Sequence, residues 1–483
     1  MTEPKAKLVL GDNAEVLKKL PDCSVDSVVC DPPAGVSFMS ASWDSDKGGR
    51  REWIAWLASV MAECRRVLKP GGHAFVWALP RTSHWTMAAL EEAGFEIRDC
   101  VYHIFAQGFP KNLDVGKALD KMAGAEREEV GTRESPSKKN ATKAGNWGFG
   151  SEDIPVTLPA TDAAKRWDGW GTALKPAAEC WWLARKPLGE KTVAANVLKW
   201  GTGALNIDGC RIGTSREEFE KLSEGRQANR TIRAGAVAKG YGMRPEGLRN
   251  TEQSPLGRWP ANLVLSHDER CVKVGMKERA VASGDVSGEE LSSKTSRVYG
   301  KFIHRKPFKA YGQDGTEEVE EWACVPDCPM RLMDRQSGER SSSPFKATTG
   351  GASRFFYRAK PSRSEREAGL IGKVPCKVCG GIDTKTHMKD GKEAGCVRND
   401  HPCVKAVSLM SWLCRLVTPP SGLVLDPFMG SGSTGVACMA EGFNFLGVEQ
   451  EKGYLEIAQA RIGWAKQKAS RAGEQEELWE DVR

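Results

Sequence analysis

The sequence lacks the features that would hold it in a membrane or carry it out of a cell. No run of about 18 uncharged apolar residues occurs in its 483 residues, and the mean hydropathy is −0.45, so we expect no membrane-spanning helix. The opening residues, MTEPKAKLVLGD, contain no long apolar stretch of the kind that a secretory signal needs. We therefore expect a cytoplasmic protein, in which the 15 cysteines serve as thiols or metal ligands rather than as disulfides.

A strong excess of one charge is also lacking. Lys and Arg number 70 against 63 Asp and Glu, a net charge of +7 that permits a polyanionic partner without demanding one. With 40% hydrophobic and 28% charged residues, the composition excludes a fibrous or wholly disordered chain. No fixed-period repeat is present. The length corresponds to about three domain-sized units, or to one large domain with long insertions.

The two ends of the chain have the pattern of compact α/β structure, and the middle does not. Short apolar strands alternate with amphipathic helices over residues 8–105 and again over residues 407–467. Such alternation predicts a parallel sheet covered by helices on both faces. Between them, residues 107–170 and much of 190–360 are rich in Gly, Lys, Arg and Ser and show no sustained periodicity.

Residues 422–449 follow the order strand, glycine loop, helix, strand, acid. Gly430 and Gly432 let the backbone turn tightly, and Glu449 at the tip of the second strand can accept hydrogen bonds from a ribose diol. No Gly-Lys-Ser/Thr follows, which disfavours a nucleoside triphosphatase. Asp426, at the first strand end, would repel a pyrophosphate but suits a cationic ligand such as S-adenosylmethionine. A structural glycine turn is the alternative for the loop alone, and Glu449 favours the cofactor.

A stiff corner, Asp31-Pro32-Pro33-Ala34, directly follows an apolar strand. Consecutive prolines have fixed φ and no N–H, and the carboxyl end of a parallel strand is where open α/β sheets build sites. Asp31 and the Pro32 carbonyl are both acceptors, so together they could hold the two hydrogens of an exocyclic amine. That grip would make a delocalised nitrogen more tetrahedral and more nucleophilic. An ordinary turn is the alternative for the tetrapeptide alone.

The combination of these motifs resembles the DNA amino-methyltransferases, in the permuted (beta) group that places its catalytic motif first. The segments that carry the resemblance, which is strongest to bacteriophage and prophage members, are GDNAEVLKKLPDCSVDSVVCDPPA, RVLKPGGHAFVWALP, HPCVKAV and LVLDPFMGSGSTGVACMAEGFNFLGVE. The resemblance implies an α/β fold: a Rossmann-like S-adenosylmethionine-dependent methyltransferase sheet assembled from both chain ends, with a large irregular insertion.

The resemblance also implies a reaction and a substrate. The methyl group would pass directly to the exocyclic amine of a base flipped out of double-stranded DNA, within a restriction-modification setting. Asp at the first catalytic position favours adenine N6, with cytosine N4 as the alternative. Methylation of RNA or of a protein glutamine, and a catalytically silent DNA-binding protein with the same fold, also remain open. The oligomeric state is open too, a homodimer included.

Carried over residue by residue, the resemblance implies that Asp31 and Pro32 hold the target amine. The fourth catalytic position is usually an aromatic ring that stacks on the base, but here it is Ala34. Because stacking is worth roughly 1–3 kcal/mol per base, we expect another ring to replace it, and Phe38 and Trp43 are the candidates.

The cofactor is assigned a second set of residues on the same basis. Glu449 would bind its ribose and Asp12 would approach its adenine ring. Lys405 would lie beside the cofactor, in a segment that departs from the family pattern at Cys403 and Ala406. The residues implied to line the methionine end are Asp426, Phe428, Gly430, Gly432 and Thr434.

The resemblance and the composition together divide the chain. The predicted parts are a catalytic half, 1–187, with a loop at 107–170; an insertion, 188–399; a cofactor-binding half, 400–470; and a charged, frayed tail, 471–483. A methyltransferase core needs base-edge contacts from Arg, Lys, Asn or Gln to choose a sequence, and the basic insertion supplies these residue types. We therefore interpret it as the target-recognition region, with a solvated surface as the alternative.

Two groups of cysteines and histidines have spacings typical of zinc sites. The first starts with a CxxC pair and gives the predicted ligands Cys376, Cys379, Cys396 and Cys403, with His387 and His401 as alternatives for the fourth position. The second, weaker set is His267, Cys271, Cys324 and Cys328. Zinc here would be structural, and loose reduced thiols are the alternative.

Overall fold

The computed structural model divides into two compact parts. The described residues are 3–38, 42–105, 112–133, 154–212, 259–268, 270–280, 316–326, 328–337, 356–359, 363–382, 386–389 and 392–480. A large unit consists of Met1–Leu205 and Lys360–Arg483, and a small unit consists of Asn206–Ala359.

Strands and helices alternate at both ends of the chain. The strands are β1 (Ala6–Leu10), β2 (Val25–Cys30), β3 (Leu68–Ala78), β4 (Glu96–Ile104), β5 (Glu129–Arg133), β6 (Ile154–Thr157), β7 (Ala178–Arg185), β8 (Leu263–Ser266), β9 (Val272–Ala280), β10 (Thr316–Ala323), β11 (Tyr357–Ala359), β12 (Thr386–Lys389), β13 (Lys392–Gly395), β14 (Leu423–Asp426) and β15 (Asn444–Glu449). The helices are α1 (Asn13–Lys18), α2 (Arg50–Val67), α3 (Ser83–Glu92), α4 (Val115–Met122), α5 (Asp162–Arg166), α6 (Val193–Trp200), α7 (Pro329–Ser337), α8 (Arg363–Glu367), α9 (Val407–Val417), α10 (Ser433–Glu441) and α11 (Lys452–Glu480).

The sheet of the large unit interleaves strands from the two chain ends. Its order is β1-β15-β14-β2-β3-β7-β4. β1 pairs parallel with β15, and β14 pairs parallel with β2. Asp26 on β2 accepts a hydrogen bond from the amide of Leu423 at the start of β14, over 2.7 Å. The Rossmann-like sheet predicted from both ends is therefore confirmed.

One strand corrects the prediction of a parallel sheet. β7 lies between β3 and β4 and runs antiparallel to both, so the sheet is mixed. Ala178, the first residue of β7, pairs with Ile104, the last residue of β4. The chain thus leaves the sheet at the carboxyl end of β4 and re-enters it at that same end, so β7 runs in the opposite direction to β4. Strand periodicity alone cannot reveal this return path.

Apolar side chains cover the centre of the sheet. Every residue of β2 is buried, as a strand covered on both faces requires. The apolar stripe of α2, which includes Trp53, Leu57 and Cys64, joins one cluster with Val28 of β2 and Leu425 of β14. This packing fixes the carboxyl ends of the two neighbouring strands relative to each other.

The small unit is shorter at both ends than the insertion expected at 188–399. Asn196 on α6 donates through Nδ2 to the carbonyl of Pro70, over 2.8 Å, and so belongs to the large unit. At the other end, Arg461 on α11 donates through Nη2 to the carbonyl of Glu365, over 3.2 Å.

The C-terminal segment expected to be a frayed tail from residue 471 is instead helical as far as Glu480, within α11. Its Ala, Glu and Gln residues are good helix formers. Among the described helices, none combines the length and apolar composition needed to cross a membrane.

Candidate active site

A cleft of about 400 Å³ lies at the carboxyl ends of β14 and β2. These strands are neighbours, but the chain continues from β14 to β15 on one side and from β2 to β3 on the other. Such a reversal of strand order is where open α/β sheets bind ligands. The predicted catalytic and cofactor residues that line the cleft are Asp12, Asp31, Pro32, Pro33, Ala34, Phe38, Trp43, Lys405, Asp426, Phe428, Gly430, Thr434 and Glu449.

Gly432 is the predicted residue that is not in the lining. It ends the glycine loop as the N-cap of α10, between Ser431 and Ser433, which do line the cleft. Its φ is +78°, and an added Cβ would lie 2.9 Å from the Cβ of Ala458 on α11. Gly432 therefore shapes the loop and its packing on α11 instead of facing the cleft.

Gly430 brings the loop backbone close to a ring. Its φ is +53°, and an added Cβ would lie 2.6 Å from Nε2 of His401. Burial lowers the pKa of His401 to about 3, so this imidazole is neutral. His401 also meets the ring of Tyr454 edge-on at 4.6 Å between centroids. A side chain at position 430 would have to displace this neutral ring.

Asp426 ends β14 inside the cleft and is 2% exposed. Its two oxygens accept hydrogen bonds from the Phe428 amide (3.0 Å) and from the Thr434 hydroxyl (2.6 Å). Burial raises the pKa of Asp426 to about 7 despite these two donors. The carboxylate is thus held by neutral dipoles and has no cation of its own among the described contacts.

Glu449 ends β15 next to the glycine loop. Its oxygens accept from the amides of Gly430 (2.7 Å) and Glu451 (2.8 Å). Burial raises the pKa of Glu449 as well. Because each carboxylate oxygen has more than one acceptor site, Glu449 can still accept from a bound hydroxyl while it holds the loop.

Asp31 belongs to a charged cluster on the other side of the cleft. Nζ of Lys405 lies 3.1 Å from Asp31 Oδ2 and 3.5 Å from Glu179 Oε2. The ammonium also lies 4.0 Å from the centroid of the Trp77 ring. Glu179 in turn accepts from Nε1 of Trp77 (2.6 Å) and contacts Nδ1 of His103 (2.7 Å).

The pKa shifts follow from this arrangement. Burial raises the pKa of Asp31 to about 6, although the Lys405 ammonium lowers it. Burial would lower the pKa of Lys405, but the Asp31 and Glu179 carboxylates outweigh it and raise that pKa. Burial would raise the pKa of Glu179, yet Lys405 and the hydrogen bond from His103 bring it to about 2. The cluster therefore keeps one cation between two carboxylates.

The loop after the tetrapeptide is fixed by a residue that the sequence did not single out. Asp44, 1% exposed, accepts from the amides of Gly35 (2.9 Å) and Phe38 (2.8 Å). The hydroxyl of Thr82 donates to the Ala34 carbonyl over 3.0 Å. This loop places the Phe38 and Trp43 rings in the lining of the cleft. Ala34, which also lines it, has no ring of its own.

The cleft also contains residues that were not predicted from the sequence. Nothing in the sequence around Glu179 indicates a contact with Lys405, which lies 226 positions away. Trp56, Trp77 and Tyr454 line the cleft as well. The excess of tryptophan, 16 in the chain, was the one available signal, and it does not identify positions.

One predicted metal ligand needs correction. The ligand atoms of Cys376, Cys379 and Cys396 lie within 4.8 Å of one another, but Cys403 is not in this group. Cys403 instead lines the cleft, where burial and the nearby Asp31 raise its pKa to about 12. Only one residue, Val404, separates Cys403 from Lys405, so the two side chains lie in the same cleft. His401 lies in the cleft too, and the side chain of His387 is outside the described residues.

Comparison with known proteins matches both halves of the cleft to one family. The family profile described as DNA methylase (N6_N4_Mtase) matches residues 25–116 and 351–460. The first segment contains Asp31 and the second contains Asp426, so the catalytic tetrapeptide precedes the glycine loop in the chain, as in the permuted arrangement. The chain carries a DNA methylase domain in two segments.

Individual relatives match over shorter stretches. The Type II methyltransferase M.BamHI of Bacillus amyloliquefaciens is 36% identical over 75 residues, which are 16% of this chain and 18% of the relative. M.HinfI of Haemophilus influenzae is 36% identical over 80 residues, 16% of this chain and 21% of the relative. The chain thus covers less than a quarter of either relative. A solved PvuII DNA methyltransferase, described as cytosine-N4-specific, aligns over 97% of this chain and 93% of its own at 12% identity and a TM-score of 0.37.

Proposed function

We propose that this protein is an S-adenosylmethionine-dependent methyltransferase that methylates the exocyclic amine of a base flipped out of double-stranded DNA, with adenine N6 as the target. One observation carries the proposal: Asp31 and Asp426, 395 positions apart in the chain, end neighbouring parallel strands and line the same cleft. The substrate implies that the reaction takes place in the cytoplasm of a bacterial or phage-infected cell.

The cleft residues fit the cofactor. Asp426 and Glu449 are buried acids at adjacent strand ends, and Gly430, whose positive φ favours glycine, places no side chain in the loop between them. A cavity of about 400 Å³ lies within the range of small-molecule sites. S-adenosylmethionine, when bound, supplies an electrophilic methyl group on a sulfonium. In this proposal Asp426 favours the cationic end of that ligand and Glu449 accepts from its ribose.

The amine would be held by Asp31 and the Pro32 carbonyl. Because Asp31 is the stronger acceptor when it is ionised, the Lys405 ammonium at 3.1 Å has a clear task, which is to stabilise the carboxylate in a buried site. Lys405 itself is restrained by Glu179. In this arrangement Asp31 keeps its negative charge while it orients the nucleophile, and no covalent bond to the protein is needed.

An extruded base would stack on Phe38 or Trp43. Both rings line the cleft beyond Ala34, on the loop held by Asp44. Aromatic stacking tolerates either base, so these rings do not select adenine over cytosine. The preference for adenine rests on the Asp at the first position of the tetrapeptide.

Sequence choice would reside in the basic insertion. Residues 213–258 and 281–315 lie outside the described residues. In the described part, Arg211 lies over the ring of Trp259 at 5.2 Å. A variant without residues 213–258 should still bind cofactor but lose its preference for particular DNA sites, and an unchanged site preference would refute this role.

The deciding experiment is methylation of DNA with isotopically labelled S-adenosylmethionine, followed by mass spectrometry of the nucleosides. We expect labelled N6-methyladenine. Labelled N4-methylcytosine would keep the reaction class and overturn the choice of base. Bound cofactor without any methylated nucleoside would favour the silent DNA-binding protein.

Two variants complete the experiment. Asp31→Ala should abolish the label, since it removes the acceptor for the amine. Asp22→Ala is the matched control: this aspartate is 73% exposed and pairs with Arg66 away from the cleft. Label at the wild-type level in both variants would exclude the assigned role of Asp31.

A further inference from the structure

We propose that the small unit contains a structural zinc site formed by His267, Cys271, Cys324 and Cys328. The ligand atoms of these four residues lie within 4.8 Å of one another. Nδ1 of His267 lies 3.4 Å from Cys324 Sγ and 3.7 Å from Cys328 Sγ. For tetrahedral zinc with bonds of about 2.3 Å to sulfur and about 2.05 Å to nitrogen, the nitrogen lies about 3.6 Å from each sulfur. The observed distances bracket that value.

The chemistry of the four side chains favours zinc over other occupants. Three thiols and one imidazole form a soft donor set without a carboxylate, which disfavours calcium and magnesium. None of the three cysteines is in a disulfide. His267, Cys271 and Cys328 are each less than 7% exposed and Cys324 is partly buried, so the site is largely shielded from solvent. A closed site with four protein ligands is structural, because no position is left for a reacting water.

The four ligands tie together separate segments of the small unit. His267 and Cys271 lie between β8 and β9, and Cys324 and Cys328 lie between β10 and α7. The amide of Cys271 donates to the Asp268 carbonyl, over 2.9 Å, and that of Cys328 donates to the Val325 carbonyl, over 3.1 Å. Each ligand pair therefore sits on a tight turn that presents both side chains to the same point.

The small unit has reason to need such a site. Among its described residues, the buried apolar side chains other than cysteine are Val264, Leu265 and Met330. Three such side chains give the described part of this unit only a small apolar core, so a metal would add substantially to its stability. A bound zinc ion contributes its binding free energy to folding. The Trp322 ring, stacked on His267 with centroids 4.3 Å apart, holds the imidazole in place.

The test measures metal in the purified full-length protein, independently of methylation. Zinc content is determined by mass spectrometry of the metal after dialysis against metal-free buffer. Relative to the wild type, Cys328→Ser should lose one equivalent of zinc. Cys210→Ser is the matched control, because Cys210 is also a buried cysteine of the small unit but lies outside the cluster, and it should lose none.

A second variant keeps the test valid if Cys328→Ser fails to fold. His267→Cys preserves four ligands and should retain the zinc. In its cobalt(II) form, the contribution of this site to the thiolate-to-metal charge-transfer band should grow by about one third, from three thiolates to four. Equal zinc content in wild type and Cys328→Ser, iron in place of zinc, or an unchanged cobalt spectrum in His267→Cys would each overturn the proposal.

A separate observation points to a second zinc site in the large unit, at Cys376, Cys379 and Cys396. Sγ of Cys379 lies 3.8 Å from Sγ of Cys396, the separation expected for two sulfurs about 2.3 Å from one tetrahedral ion. The Val378 amide approaches Cys376 Sγ at 3.5 Å, and the Gly380 amide donates to the Cys376 carbonyl over 2.8 Å. This CxxC turn offers the Val378 amide to the Cys376 thiolate and so suits a metal.

The second site has its own variants. Cys396→Ser should remove one further equivalent of zinc, and the double variant Cys328→Ser/Cys396→Ser should contain none. The control is Cys414→Ser, a buried cysteine of the same unit that is not in the cluster. Full zinc content in Cys396→Ser would refute the second site and leave the first unaffected. Neither result depends on whether the protein methylates DNA.

Discussion

Two buried aspartates at neighbouring strand ends are held in different ways. Asp31 lies against the Lys405 ammonium at 3.1 Å, which is shared with Glu179. Asp426 is held by the Thr434 hydroxyl and the Phe428 amide. A charged partner acts strongly on the pKa of its neighbour, whereas dipoles fix geometry with a smaller effect on charge. The difference indicates that the Lys405 ammonium keeps Asp31 ionised on the amine side of the cleft, whereas the hydrogen bonds to Asp426 fix the position of its carboxylate on the cofactor side.

The largest expected effect separates the two aspartates by function. Asp31→Asn replaces an acceptor oxygen with an amide donor, so we expect turnover to fall by at least about 10²–10³-fold while cofactor binding is retained. Asp426→Ala should instead weaken S-adenosylmethionine binding. Single-turnover methylation and calorimetry of cofactor binding measure the two effects. Near-normal turnover in Asp31→Asn would show that the Asp31 carboxylate is not needed to hold the amine.

The next effect concerns the shape of the cofactor side. Gly432→Ala should destabilise the fold and weaken cofactor binding, because an added Cβ would meet Ala458 at 2.9 Å. Gly442→Ala is the control: its φ is also +78°, but nothing lies within 4 Å of an added Cβ. Both variants carry the left-handed strain of about 1–2 kcal/mol, so the excess loss in Gly432→Ala reports the contact alone. Denaturant unfolding measures the loss of stability in each variant. An equal loss of unfolding free energy in both would show that the structure around Ala458 relaxes to accept the added Cβ.

A third prediction is that the ionised carboxylate of Asp426 lowers the free energy of unfolding at neutral and higher pH. Its pKa rises from a usual 3.8 to about 7, so its contribution to stability is full below about pH 4 and is lost as the pH rises towards 7. Asp426→Asn keeps an acceptor for the Phe428 amide but carries no charge. We expect this variant to be more stable than the wild type at pH 8, by about 4 kcal/mol, and no more stable near pH 4. Denaturant unfolding at both pH values provides the measurement, and a uniform difference would contradict a charge effect.

The smallest effect tests the charged side. Asp31 has a pKa of about 6 and must be ionised to act, so activity should fall as the pH drops through 6. Lys405→Met removes the cation that lowers this pKa, so the acid limb of the kcat/KM profile should move to higher pH by about one pH unit or more. Lys69→Met is the control, since Lys69 pairs with Asp26 outside the cleft. A limb that stays in place would mean that Lys405 does not act on Asp31.

Local sequence patterns were enough for most of the large unit. Asp31 and Asp426 follow apolar runs, and a buried strand that stops at an acid and a proline or glycine can be recognised without a structure. The first helix likewise starts where a short polar side chain precedes it: Asp12 caps α1 and its carboxylate accepts from the Glu15 amide over 3.2 Å. The reversed direction of β7 was not predictable, because it depends on where the chain re-enters the sheet.

By itself the sequence determined which residues end the strands and which glycines turn the loop, because those properties depend on neighbours in the chain. Only the tertiary structure decided that Lys405 lies between Asp31 and Glu179 and that Cys403 is in the cleft instead of a metal cluster. It also decided that His267 meets cysteines from a distant segment. Such contacts join residues far apart in the chain, and they depend on how the helices and strands pack rather than on any local pattern.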